Sequence, residues 1–256
     1  MIENRLRPRL AAGATVQGII VFTASPVVVE LAAAAGLDFV ILDMEHSALD
    51  ISGAAHLIRA ADASRITAFV RVPCVDRGLI GRLLDLGAAG IVLPHANAAS
   101  CAELRQAMRY VPEGGRGACQ ITRAAGYMRG GWSAYAAQAN REVMAIALIE
   151  DATTLRDIEA VADMPGIDVC FVGPTDLSIA LGVAGASFDD PVLGAALDKV
   201  VETTRRHAKF AMTLLGSQLD PAYGRRLAER GVQMIVLGTD ADLFTHSIRA
   251  LVGPGS

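Results

Sequence analysis

The chain has 256 residues, 52% of them hydrophobic, and a formal net charge of −4. That supplies one large core and no basic cluster, which argues against nucleic acid as a partner. No apolar run reaches the roughly 18 residues of a membrane helix. The start, MIENRLRPRL, is charged and lacks a signal-peptide core, and Cys74, Cys101, Cys119 and Cys170 show no CxxC spacing. The expectation is a cytoplasmic protein with reduced thiols, no membrane association and no zinc chemistry.

Apolar strand-like runs alternate with helical patterns along the whole chain. In order they are strand 16–22 and helix 27–35, strand 39–43 and helix 51–61, strand 68–72 and helix 77–86, strand 90–94 and helix 98–109. Strand 143–149 and helix 154–162, strand 169–173 and helix 192–207, strand 210–215 and helix 221–230, strand 233–238 and helix 241–251 complete the series. Eight such pairs predict a (β/α)8 TIM barrel forming a single domain over 1–256. The alternative is a doubly wound open sheet, but no G-x-G-x-x-G follows the first strand. One connection is long: six glycines, Trp132, Arg116 and Arg123 lie between Tyr110 and Arg141. It joins a helix to a strand, so it starts on the face opposite a barrel's active site and suits contact with a neighbouring subunit. Ala/Leu-rich helix surfaces also favour a homo-oligomer.

The stretch from Val143 to Leu177 organises the rest. Two near-continuous apolar strands flank a helix capped within Asp151–Thr154, with Leu155, Ile158 and Ala162 as its core stripe and Pro165-Gly166 as its stop. Each strand ends in a carboxylate, Glu150 after the first and Asp176 after the second, the latter on a Gly173-Pro174-Thr175 turn. Equivalent ends of neighbouring parallel strands lie roughly 5 Å apart. Unit charges of one sign at about 4 Å repel by roughly 4 kcal/mol at an effective dielectric of 20. A shared proton or a cation relieves this. The reading is a divalent cation, Mg²⁺ or Mn²⁺ with Co²⁺ also compatible, since carboxylates with water and substrate oxygens suit hard ions.

Other strand ends add Asp43, Glu45 and His46 on strand two, Arg71 on strand three and His95 after strand four. Strand one offers Thr23 and Ser25, strand seven Thr213 and Ser217, strand eight Thr239 and Asp240. Charge thus gathers on strands two to six. Arg71, in AFVRVP, is either paired with Asp43 or clamps a carboxylate or enolate oxygen. His46 is a candidate general base, the alternative being a satisfied loop histidine. His95 suits a pocket or structural role; His56, His207 and His246 fall in helices. Asp85 ends the third helix, on the far face from its own His46, so it is either locally paired or acts across a subunit interface. Arg116 and Arg123 are either solvated or anion-binding, and the GGRG backbone around Arg116 also offers an anion nest. Only Lys199 and Lys209 are lysines. One lies in a helix and the other at the wrong end of strand seven, which leaves no Schiff-base residue in the arc.

These motifs together resemble the metal-dependent pyruvate aldolases of the HpcH/HpaI family: LDMEHSALD around His46, VRVP around Arg71, LLDLGAAGIVLPHANAA, VPEGGRG, ALIED around Glu150 and VCFVGPTDLS around Asp176. The resemblance spans nearly the whole length and lies nearest the 4-hydroxy-2-oxoheptanedioate and 2-keto-3-deoxy-sugar-acid aldolases. It implies a barrel of the phosphoenolpyruvate/pyruvate type and a hexamer built as a trimer of dimers that exchange their last helix. It implies Glu150 and Asp176 as metal ligands, His46 as acid–base residue and Arg71 as transition-state stabiliser. Asp85 would raise a histidine's basicity from an adjacent chain. Arg71, Leu148, Gly173, Pro174, Thr175 and Asp176 would contact substrate, Thr175 through its backbone. Where the family often has glutamine two residues before the metal-binding glutamate, this chain has Leu148.

The expected reaction is reversible cleavage of a 4-hydroxy-2-oxo acid to pyruvate and an aldehyde through a metal-stabilised enolate. The rival enzyme reading is an acyl-CoA lyase of the citryl/malyl-CoA type, which needs a basic surface for the CoA phosphates. The rival from another class is a catalytically silent 2-oxoacid-binding protein.

Overall fold

A computed structural model describes residues 4–127, 131–216 and 219–252. The elements run α1 (Leu6–Ala11), β1 (Val16–Val21), α2 (Pro26–Ala34), β2 (Phe39–Asp43), α3 (Ile51–Ala63), β3 (Thr67–Arg71), α4 (Arg77–Leu86) and β4 (Gly90–Leu93). They continue with α5 (Ala98–Met108), α6 (Trp132–Glu142), β5 (Met144–Ile149), α7 (Ala152–Arg156), α8 (Ile158–Ala162), β6 (Val169–Val172) and α9 (Pro174–Ala180). The chain closes with α10 (Pro191–Arg206), β7 (Phe210–Leu214), α11 (Pro221–Glu229), β8 (Met234–Thr239) and α12 (Asp240–Val252). The strands form a closed parallel barrel in chain order, β8 pairing back onto β1.

Strand alternation builds the barrel from two apolar layers. Phe39, Ile41, Phe69, Val92, Met144, Ile146, Leu148, Phe171, Met212 and Met234 fill the inside. The alternate residues, such as Val40, Leu42, Ala145, Ala147, Ile149 and Val172, pack beneath the helices. Both faces are therefore buried, which is why the strands read as continuous apolar runs. Gly18 admits the Phe39 ring: a Cβ there would lie 2.4 Å from the Phe39 carbonyl oxygen. Leu6 and Leu10 of α1 join the inner cluster and close the barrel's N-terminal mouth. Carried one step further, the same alternation sets Asp43, Arg71, Glu150 and Gly173 on the inner side at the C-terminal ends.

The structure departs from the sequence expectations at four places. The helix expected over 154–162 is two short ones, α7 and α8, interrupted at Asp157. The long connection contains α6, whose Tyr135, Ala136 and Ala139 bury against Tyr110. Gly173-Pro174-Thr175 is not a free turn: Gly173 is the N-cap of α9, with Pro174 in its first turn. The fourth is α1, which no sequence pattern suggested. Ser217 lies outside the described residues.

Candidate active site

Asp43 is wholly buried and takes Arg71 in a two-pronged pair, Nε to Oδ1 at 2.7 Å and an Nη to Oδ2 at 3.0 Å. The same two oxygens accept the backbone N–H groups of Glu45 and His46, each at 3.1 Å. One carboxylate thus orients the arginine and folds the loop that carries the histidine. Glu45 adds a second negative charge 3.3 Å from Arg71 Nε, and its Oε2 lies 3.5 Å from His46 Nε2. Burial alone would lower the Arg71 pKa. The Asp43 hydrogen bond and the charges of Asp43, Glu45 and Glu150 outweigh it and hold the guanidinium more firmly charged. The His46 ring remains largely in solvent.

Glu150, with a side chain 6% exposed, accepts the His95 N–H at 2.6 Å through Oε1, and His95 Nδ1 stands 3.2 Å from the same oxygen. His95 adopts a left-handed backbone, φ 46°, to present both groups. Oε2 accepts no hydrogen bond among the described residues and faces Gly173, where a Cβ would come within 3.4 Å of it. Burial raises the Glu150 pKa, the charges of Asp176 and Glu45 raise it further, and the His95 contacts only partly oppose this. Asp176 is exposed in the first turn of α9, one strand over. Neither Glu150 nor Asp176 pairs with an arginine or lysine among the described residues. No cluster of three or more His, Cys, Asp or Glu side chains forms a ready metal cage there. Two uncompensated carboxylates are the donor set a hard cation takes when water and substrate oxygens complete its shell.

Residues 18–247 match the HpcH/HpaI aldolase/citrate lyase family. The chain belongs to that family. The 5-keto-4-deoxy-D-glucarate aldolase of Klebsiella pneumoniae is 31% identical over 252 residues, covering 98% of this chain and 96% of that one. The HpcH/HpaI aldolase of Desulfitobacterium hafniense superposes with a TM-score of 0.88 at 30% identity, over 96% of this chain and 95% of that one. The citrate synthase SbnG gives 0.86 at 30% identity, over 98% and 96%. The chain is therefore an enzyme, an aldehyde-lyase on an HpcH/HpaI barrel.

The remaining HpcH/HpaI positions fall into two groups. Leu148 is buried among the inner residues, and its side chain would touch a Cβ on Gly173 at 3.2 Å. Gly173, Pro174, Thr175 and Asp176 follow one another through the N-cap and first turn of α9. Asp85, by contrast, lies near the end of α4, where the chain returns to the opposite face, and pairs with Arg116 at 2.6 Å. Arg123 pairs with Asp62 and donates to the Leu86 carbonyl. Neither arginine is a solvated loop charge. Of the GGRG backbone, the N–H groups of Gly114, Gly115 and Arg116 are spent on the carbonyls of Tyr110, Gln106 and Arg109 and do not form an open anion nest.

Two features escaped the sequence reading. His95 supports Glu150 through a backbone conformation that nothing in LPHAN encodes. Arg59, Arg82 and Arg123 meet Asp85 around a cavity of about 480 Å³ between α3 and α4, although they are scattered along the chain. Asp240 is structural, holding the N–H groups of Phe22 and Thr23 at 2.9 and 3.0 Å.

Proposed function

We propose that this enzyme reversibly cleaves a 4-hydroxy-2-oxo acid to pyruvate and an aldehyde with the help of a divalent cation, Mg²⁺ or Mn²⁺. The observation that carries the reading is the pair Glu150 and Asp176 beside an arginine already committed to Asp43. Glu150 and Asp176 would hold the ion. The chemistry it supplies in that position is Lewis-acid polarisation of the 2-oxo group.

The chain's own residues do the rest. Arg71 keeps a fixed positive charge where negative charge develops on the oxygen as the C3–C4 bond breaks. The bonding pair passes into the pyruvate enolate. His46 takes the proton of the 4-hydroxyl as the aldehyde forms. Protonation of the enolate at C3 yields pyruvate, and synthesis runs in reverse. Leu148 and the α9 N-terminus, Gly173 to Asp176, would line the 2-oxo acid. A lysine Schiff base has no candidate: Lys199 donates to the carbonyls of Leu155 and Arg156, and Lys209 precedes β7 at its far end.

Asp85 serves a second copy in this reading. Its Oδ2 accepts nothing among the described residues and the side chain lines the α3–α4 cavity. No residue of α12 is buried and Phe244 is 71% exposed, which suits an exchanged last helix in a hexamer built as a trimer of dimers. The likeness to a citrate synthase favours a second reading, the acyl-CoA type. Screening acyl-CoA esters against free 2-oxo acids separates the two.

The test is retro-aldol turnover on 4-hydroxy-2-oxo acids before and after exhaustive chelation. Activity should vanish and return on adding Mg²⁺ or Mn²⁺. Undiminished turnover after complete metal removal would defeat the proposal.

A further inference from the structure

We infer that Arg116 is a positioning residue for catalysis, fixing the Asp85 carboxylate that this chain lends to a neighbouring copy. The inference rests on the reading of Asp85 given above. Arg116 sits in a connecting segment, yet its side chain is only 2% exposed. Desolvating a guanidinium is costly unless its partners are well placed. Here there are two: Asp85 Oδ1 at 2.6 Å and the Tyr110 ring, whose centroid lies 4.5 Å from the guanidinium carbon. Tyr110 is itself wedged edge-on against Trp132, centroids 4.9 Å apart. The backbone is equally fixed. Arg116 N–H binds the Arg109 carbonyl at 2.8 Å, and a Cβ at Gly114 would lie 2.6 Å from that same oxygen.

The geometry does more than close a loop. Arg116 holds Oδ1 of Asp85, which leaves Oδ2 without a hydrogen-bond partner among the described residues, and the side chain lines the cavity. Arg59, Arg82 and Arg123 line that cavity too. Arg123 is already paired with Asp62, and Arg82 Nε reaches only the Gly78 carbonyl, at 3.4 Å. Arg59 and Arg82 have no carboxylate partner among the described residues. An Asp85 released by Arg116 would turn to one of them and be lost to a second copy's histidine. Around His46 itself the charged groups are Asp43, Glu45 and Arg71, so Asp85 would be the group that arrives from outside.

The experiment compares pH–rate profiles and thermal midpoints of the metal-loaded wild type with Asp85→Asn, Arg116→Gln, Arg116→Lys and the double variant Arg116→Gln/Asp85→Asn. Asp85→Asn should make the histidine less basic, moving the acid limb to lower pH, and should cut kcat about tenfold or more. Arg116→Gln should move the limb the same way and lower kcat with little change in KM. The double variant should be no worse than Asp85→Asn. Arg116→Lys keeps the charge but loses the planar guanidinium and its stacking on Tyr110, so it should fold and fall between wild type and Asp85→Asn. A profile for the Arg116 variants that coincides with wild type, while Asp85→Asn is displaced, would overturn the inference, whatever happens to the thermal midpoint. A wild-type profile for Asp85→Asn would overturn the Asp85 reading and this inference together.

Discussion

At the scale of single residues, the site is built from carboxylates in opposite electrostatic situations. Asp43 is fully compensated by Arg71 and two backbone donors, whereas Glu150 is buried with only the His95 contacts. Because burial and the Asp176 charge raise the Glu150 pKa, the folded chain favours the protonated form more than the unfolded chain does. The stability contribution is therefore fully present below the ordinary carboxylate range and is lost as pH rises through the raised value. Glu150→Gln keeps the oxygen that accepts from His95 and removes the charge. Without added metal, this variant should melt higher than wild type above that window, by about 2–4 °C, the shift that ~1 kcal/mol makes in a chain of this size. Saturating Mg²⁺ or Mn²⁺ should stabilise wild type only. A metal-free Glu150→Gln protein that melts lower at neutral pH would contradict the electrostatic account. The sequence made the acidic strand ends legible, because a charged residue directly after a buried apolar run has few bland explanations. It placed His95 at the rim in a pocket or structural role but did not show its bond to Glu150, since that support comes from a left-handed backbone at a residue type that adopts one only occasionally.

At the scale of elements, all eight strands were readable because a parallel barrel buries both faces of each and leaves an unbroken apolar run. The helices that were missed are those whose signal is local and weak. In α6, WSAYAAQANRE buries small residues against Tyr110 rather than a Leu or Val stripe. In α9, Gly-Pro reads as a turn, although proline at the first helical position is also a start signal. In α1, Leu6 and Leu10 are spaced for one helical face but stand among arginines and Pro8. The element with most left over is α12. Phe244, Ile248, Leu251 and Val252 are exposed, and so are Val27 and Leu31 of α2. Light scattering should give the mass of an assembly of this chain, and Phe244→Glu with Ile248→Glu should reduce it. A monomeric wild type would rule out the exchanged helix.

At the scale of the whole molecule, the barrel gathers the charged candidate residues of strands two to six at its C-terminal rim. The N-terminal mouth is closed by Leu6 and Leu10, and above Thr67 the inner strand layers are apolar up to the rim, so the charged groups on the barrel's inner wall emerge at the C-terminal end. There the inward alternation that buries Phe39, Phe69 and Leu148 brings out Asp43, Arg71 and Glu150. The Asp85–Arg116 pair lies at the far end of α4, and the arginine-lined cavity runs along the barrel's flank between α3 and α4. Spacing along the chain could suggest the first arrangement, because strand ends share a rim by topology. It could not suggest the second, because Arg59, Arg82, Asp85 and Arg123 converge only through helix packing and a long connection. The central claim is that Glu150 and Asp176 hold one cation at the C-terminal rim. Its most direct test is Mn²⁺ binding followed by electron paramagnetic resonance in wild type, Glu150→Gln and Asp176→Asn. The account predicts one bound Mn²⁺ per wild-type chain and loss of that site in each variant; undiminished binding in either variant would contradict it.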